Sequence, residues 1–218
     1  MSDRGRGRLV MEVLSATLMV EQTGARRRAK PLMNSPEQLV AAARRGDQEA
    51  FRHIFDRWAR PVVSFVYDMV GDRALAEDLT QETFVRAYKY LDALRDDAKF
   101  STWLFSIAKN VAREHLRSAH NRTRKIDLDD ETVLELVDAR PTPAAALLDK
   151  ELNGVVRHAL GALDEDKRLV FTLKIFQQRS YEEIAEITGF SVPKVKTDLH
   201  RARTEMRRRM SPYLGVKQ

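Results

Sequence analysis

The last helical stretch of the sequence contains the residue types that bind nucleic acid. An apolar stripe repeats there at helical spacing and comprises Val195, Leu199, Ala202 and Met206. The opposite side is polar and basic, with Pro193, Lys196, Thr197, His200, Arg201, Thr204, Arg207 and Arg208. Lysine and arginine neutralise phosphates, while threonine, histidine and arginine reach base edges. We therefore predict a helix that packs through its stripe and presents its basic side to duplex DNA.

A shorter helix is predicted immediately before this one, at 181–188. Ser180 and Glu183 have the spacing of a capping box, and Gly189 suits a left-handed helix end. Ser191 can cap the basic helix, which we expect at 192–210. A short helix, a turn with glycine and a longer basic helix form the helix-turn-helix pattern. An ordinary solvated basic helix is the alternative interpretation, and the pattern makes it the less favoured one.

Aromatic residues cluster at the start of the stretch 100–117 and basic residues follow them, and Ser101 is expected to cap a helix at 102–119. Aromatic rings stack on unpaired bases, and neighbouring cations such as Lys109 hold the backbone. The alternative is that Trp103 belongs to the protein core, which burial tendencies favour. The residue types by themselves leave single-strand binding undecided.

A helix predicted at 72–94 has two different faces. One is apolar and contains Ala76, Leu79, Thr83, Phe84, Ala87 and Leu91. The other surrounds an exposed Val85 with Asp78, Gln81, Glu82, Arg86 and Lys89. This second face suits docking of a partner helix, although solvated charges are the commoner explanation.

The composition, and the few glycines and prolines that interrupt helices, indicate the elements that position these surfaces. The 218 residues include no cysteine, nine glycines and seven prolines, and no segment of note has the period of a strand. We therefore expect an all-α fold of two small helical domains joined by an extended acidic linker. The net charge of +6 lies mainly at the two ends of the chain and favours polyanionic partners.

The expected division has four parts: a basic, disordered N-terminal extension at 1–34, a helical domain at 35–120, an acidic linker with prolines at 121–143, and a helix-turn-helix domain at 144–218. The apolar run at 9–20 is too short to span a bilayer, so no membrane insertion is expected. Domains this small are expected to move relative to each other in the free protein.

Nothing in the sequence predicts catalysis. The five histidines are scattered, and the chain has no HExxH motif, no CxxC pair and no glycine-rich phosphate loop. We therefore expect no catalytic residue, no metal site and no cofactor.

Three motifs, in order, resemble the conserved regions of bacterial RNA polymerase sigma factors. DLTQETFVRA at 78–87 resembles region 2.2, and FSTWL at 100–104 with IAKN at 107–110 resembles regions 2.3 and 2.4. YEEIAE at 181–186, followed by VK at 195–196 and LHRAR at 199–203, resembles region 4.2. With only a linker between them, this is the layout of the extracytoplasmic-function (ECF) group.

The resemblance implies a role in promoter-specific transcription initiation and names the residues for it. Core polymerase, through its β′ clamp helices, would be bound by Asp78, Gln81, Glu82, Val85 and Arg86. The opened −10 element would be held by Phe100, Ser101, Thr102, Trp103, Phe105, Lys109 and Asn110. The −35 duplex would be contacted by Pro193, Lys194, Lys196, Thr197, His200, Arg201 and Arg203.

The resemblance further implies contact with the polymerase β flap, inhibition by an anti-sigma factor and a cytoplasmic, nucleoid-associated location. Departures from the family pattern occur at Glu114, Lys194 and Asp198. Asp198 could pair with Lys194 one turn away, repel phosphates or accept from a cytosine amino group. The alternative function is a helix-turn-helix regulator that acts without polymerase, which would leave the 78–86 surface without a role.

Overall fold

The computed structural model describes residues 35–126, with side chains to 118, and residues 154–213. These two ranges are helical and contain no β-strand, which confirms the all-α prediction. The helices are α1 Pro36–Arg44, α2 Gln48–Val70, α3 Arg73–Lys89, α4 Phe100–Ile126, α5 154–161, α6 Glu165–Phe171, α7 Tyr181–Thr188 and α8 Val192–Met210. Shorter turns are Leu91–Ala93, Asp97–Lys99, Thr172–Phe176 and Ser211–Tyr213. The predicted extension at 1–34 lies outside the described residues.

The first two helices begin at residues whose side chains cap them, and the second ends at a glycine. The Ser35 hydroxyl accepts the backbone N–H of Gln38, and the Asp47 carboxylate caps α2 by accepting two backbone N–H groups. Gly71 ends α2 with φ +79°, a left-handed conformation that costs a residue with a side chain more than it costs glycine.

The connection between α3 and α4 differs from the prediction. α3 ends at Lys89 instead of continuing to Leu94, because the chain turns so that Leu91 and Leu94 both reach the core. The Asp96 carboxylate caps the next turn, and α4 therefore starts at Phe100, before the predicted cap Ser101. α4 stays helical to Ile126, so its end overlaps the predicted linker, whose remaining part lies outside the described residues.

Aromatic rings from the three helices α2, α3 and α4 pack together in the first domain. Phe55 contacts Phe84 at 4.8 Å, and Phe65 contacts Phe105 at 5.3 Å between ring centroids, both edge to face. The apolar face predicted for α3 is buried, with Phe84 completely inaccessible. Burial of these rings fixes α3 and α4 against α2.

The second domain is built around the predicted helix-turn-helix. Ser180 and Glu183 form the expected capping box, and Gly189 ends α7 with φ +79°. Ser191 caps α8. Ile184 and Ile187 of α7 pack with the buried stripe of α8, which consists of Val195, Leu199, Ala202 and Met206.

The two domains are in direct contact in this structure. α4 packs against α7, and α2 packs against α6 and the turn that follows it. Their apolar side chains belong to one continuous buried cluster. The contact covers part of α4.

Candidate nucleic-acid interface

The basic side of α8 is an open surface. Because the apolar stripe is buried, the opposite residues all point outward: Pro193, Lys196, Thr197, His200, Arg201, Arg203, Thr204, Arg207 and Arg208 are exposed. Lys196 lies near the Tyr181 ring, with 5.4 Å between Nζ and the ring centroid. This face combines cations for phosphates with short polar side chains for base edges.

Lys194 is the one residue expected at the −35 duplex that does not share this exposure. Its ammonium donates to Asp198 at 2.5 Å and to Asp166 of α6 at 3.0 Å. Asp198 is only 7% exposed, because it lies on the packed side of α8. The expected pairing of these two residues is present, but a buried Asp198 is not placed to meet phosphates or a cytosine.

The outer face of α3 is organised around Arg86. Its guanidinium pairs with Glu82 one turn earlier at 2.6 Å and with Glu114 of α4 at 2.7 Å. These hydrogen bonds raise the pKa of Arg86, and Arg86 in turn lowers the pKa of Glu114. Among the other residues of this face, Asp78 is exposed and Gln81 is half-buried. Val85 was expected to be exposed, but it is half-buried and packs against the core.

Two of the aromatic residues expected at the −10 element are core residues. Phe100 and Phe105 are fully buried and face Trp58 and Phe65 respectively. Thr102 is also buried, whereas Asn110 is exposed. Phe100 and Phe105 therefore have no free ring face for a base, and their contribution is to position α4.

Trp103 is intermediate between the two interpretations left open by the sequence. It is half-buried, it packs against the core, and it lines a cavity of about 440 Å³. Other walls of the cavity come from Leu94, Arg95, Lys99, Ser106 and, from the second domain, Glu186. An aromatic wall beside two cations is a suitable environment for an unpaired base.

The second domain occupies much of the surface around this cavity. Arg179 donates to Ser101 Oγ at 2.7 Å, and its guanidinium lies 4.6 Å from the Phe105 ring centroid. Lys99 pairs with Glu186 at 3.0 Å, which raises the pKa of Lys99. Lys109 donates to the Ile187 carbonyl at 2.9 Å, and burial lowers its pKa.

Arg113 extends the same interdomain contact towards α8. It forms ion pairs with Glu165 and Asp166, with 2.8 Å to the latter, and Asp166 in turn contacts Lys194. Sequence reasoning assigned no partner role to Glu114, Arg179 or Asp166. No local motif could have done so, because each contacts residues far away in the chain.

Within the described ranges, no three His, Asp or Glu side chains are grouped so that they could hold a metal ion. No helix of the described part has the length and apolarity that crossing a membrane requires.

Comparison with known families gives two matches within the chain. Residues 54–122 match the family described as Sigma-70 region 2, and residues 154–206 match Sigma-70, region 4. The first match contains most of α2, all of α3 and α4 as far as residue 122. The second contains α5, α6, α7 and most of α8.

Curated relatives match over both domains. The RNA polymerase sigma-H factor of Pseudomonas aeruginosa is 33% identical over 184 residues, covering 82% of this chain and 95% of that protein. The ECF RNA polymerase sigma factor SigW of Bacillus subtilis is 32% identical and covers 80% of this chain and 96% of its own.

A solved structure has the same fold. It is the sigma factor RpoE of Bartonella quintana, in complex with the anti-sigma factor NepR, with a TM-score of 0.62 and 24% identity. The likeness covers 75% of this chain and 98% of that one.

Proposed function

Since the chain belongs to the extracytoplasmic-function group of bacterial RNA polymerase sigma factors, which direct core polymerase to promoters, we propose how its residues divide that work. The observation that supports the division best is the exposed basic face of α8 in a chain that also matches region 2. The domain boundaries at 35–120 and 144–218 belong to this proposal.

The −35 duplex is contacted by the exposed face of α8. Lys196, Arg201 and Arg203 face solvent and meet phosphates, while Thr197 and His200 lie centrally and reach base edges. Pro193 sits at the exposed start of the helix, which enters the major groove in helix-turn-helix proteins. Lys194 differs from these residues, because its ammonium is bound by Asp198 and Asp166.

The outer face of α3 binds the clamp helices of the β′ subunit, and the second domain contacts the β flap. Support for the first contact comes from the Arg86 pairs, which hold a guanidinium at a fixed place between α3 and α4. A side chain already ordered loses less conformational entropy when a partner binds. Asp78 and Glu82 supply exposed carboxylates beside it.

The cavity beside Trp103 receives an unpaired base of the opened −10 element. Trp103 offers the aromatic wall and Thr102 lines the same cavity. Lys109 and Asn110 lie further along α4 towards the backbone of that strand, and Ser101 becomes available to it when Arg179 leaves. Phe100 and Phe105 support this surface from the core. Engaging the strand requires Arg179 and Glu186 of the second domain to leave the surface.

The relatives carry the names of transcription initiation factors, and we propose accordingly that this chain has no catalytic site and no cofactor of its own. We place it in the cytoplasm, associated with the nucleoid, where core polymerase and promoters are found. The RpoE–NepR complex supports an anti-sigma factor as a further partner. A helix-turn-helix regulator acting without polymerase is not favoured, since the relatives match across both domains.

The decisive experiment is transcription in vitro with core RNA polymerase and the full-length chain, with start sites mapped across the host genome. We expect stable binding to core enzyme and initiation at a restricted set of promoters that share −10 and −35 sequences. Binding to duplex DNA without any binding to core polymerase would contradict the proposal and favour the regulator.

A further inference from the structure

Lys194 differs from the other cations of α8 because two carboxylates already hold its ammonium. Nζ donates to Asp198 Oδ2 at 2.5 Å and to Asp166 Oδ2 at 3.0 Å. The Phe190 ring lies against the same ammonium, 4.2 Å from Nζ to the ring centroid. We refer to Lys194, Asp198, Asp166 and Phe190 as the Lys194 cluster.

The two carboxylates of the Lys194 cluster neutralise the positive charge of the lysine. The hydrogen bond to Asp198 raises the pKa of Lys194, and the bond to Asp166 adds to this, against a lowering by desolvation. One ammonium faces two carboxylates, and two of its three N–H donors are used. Arg113 also contacts Asp166, but Glu165 matches that additional positive charge.

The rest of the basic face of α8 has no such compensation. Lys196 and Arg201 are exposed and form no ion pair within the described residues. Counterion release from DNA, which supplies the sequence-independent part of binding, depends on cations that neutralise phosphates. An ammonium fixed between two carboxylates contributes little to this term.

We propose that Asp198 and Asp166 keep Lys194 from acting as a phosphate contact, and that Asp198 thereby lowers the affinity of α8 for non-specific duplex DNA. Asp198 is a positioning residue here, since it is buried and acts through Lys194. Specificity is the ratio of specific to non-specific binding, so a lower non-specific term improves promoter selection. The inference rests on the proposed −35 role of α8.

The test uses the full-length protein and a short duplex of mixed sequence, with the association constant measured by fluorescence anisotropy against salt concentration. We expect Asp198→Asn to make the salt slope steeper by about one unit, with binding roughly eightfold tighter at about 0.1 M salt, as for one added phosphate contact. Lys194→Met in the unaltered background should leave the slope unchanged. The double variant Asp198→Asn with Lys194→Met should return to the original slope.

Controls separate this inference from the proposed −35 role. Glu182→Gln removes an exposed negative charge from α7 without releasing a lysine, so its slope should not change. Lys196→Ala should make the slope shallower by about one unit. If Lys196→Ala changes the slope but Asp198→Asn does not, the inference fails and the −35 role stands. If no variant changes the slope, or none binds duplex at low salt, the −35 role fails.

A second measurement tests the compensation without DNA. The pKa of the Lys194 ammonium, followed by NMR, should fall in Asp198→Asn. If this substitution at a buried position prevents folding, Asp166→Asn replaces it, and the pKa of Lys194 should fall there too. Thermal melting reports whether each variant is folded. An unchanged pKa in folded variants, or a shallower salt slope in Lys194→Met, would overturn the inference.

Discussion

The basic face of α8 and the α4 surface around Trp103 have similar residue types but opposite surroundings. Cations of the α8 face, such as Lys196 and Arg201, are exposed to solvent. On the α4 side, Lys99 and Lys109 are each bound by the second domain, and Arg113 by its two acidic residues. The difference teaches that a basic cluster becomes a free surface only if the rest of the fold leaves it uncovered.

The largest expected effect concerns the buried part of the α4 surface. Phe105→Ala removes a fully buried ring and should lower the free energy of unfolding by about 3–5 kcal/mol. Trp103→Ala, at a half-buried position, should cost less and should impair promoter opening while the protein remains folded. Chemical denaturation compares the two, and equal losses would show that Trp103 is purely a core residue.

The interdomain side of the first domain should respond to pH. Burial raises the pKa of Asp68 to about 7, and Arg157 of the second domain partly opposes this. The raised pKa means that the folded state favours the protonated acid, so stability present below about pH 4 is lost as pH rises towards 7. Asp68→Asn should remove this loss and stabilise the protein by about 2–4 kcal/mol at pH 8.

Denaturation curves across this pH range provide the measurement. Asp56→Asn serves as the comparison. Burial also raises the pKa of Asp56, but Arg157 is not among the charged groups that shift it. Identical pH dependence in Asp68→Asn and the unaltered protein would contradict the assignment.

Arg113→Ala should weaken the contact between the domains. The arginine side chain is 17% exposed, but its acidic partners are more than 40% exposed, so we expect a loss of about 1–2 kcal/mol. Distances between labels on α3 and α8 should broaden to longer values. Arg117→Ala on the exposed side of the same helix is the matched control and should leave the distances unchanged.

The smallest effect on stability is expected on the open face. Lys196→Ala should change the free energy of unfolding by no more than about 0.5 kcal/mol, because the side chain is exposed. Its effect should appear in duplex binding, whose salt slope decreases by about one unit. A loss of stability comparable with that of Arg113→Ala would remove the contrast between the two surfaces.

Local signals predicted the helices of the second domain well. Ser180, Gly189 and Ser191 act through backbone groups no more than a few residues away, so their sequence spacing was sufficient. The connection at 90–99 was predicted less well, since α3 ends early in order to bury Leu91 and Leu94. The end of α3 therefore depends on a core that other helices contribute, and helix propensity along the chain carries no information about that core.

The sequence by itself determined which side of each helix is apolar, because a period of 3.6 residues places the Val195 stripe and the Lys196 side on opposite faces. It also determined that Lys194 and Asp198 lie one turn apart. Only the tertiary structure decided which cations remain available. Arg179 meets Ser101 across 78 residues, and Asp166 meets Lys194 across 28. Coulomb and hydrogen-bond energies depend on distance in space, and the packing of the two domains sets that distance.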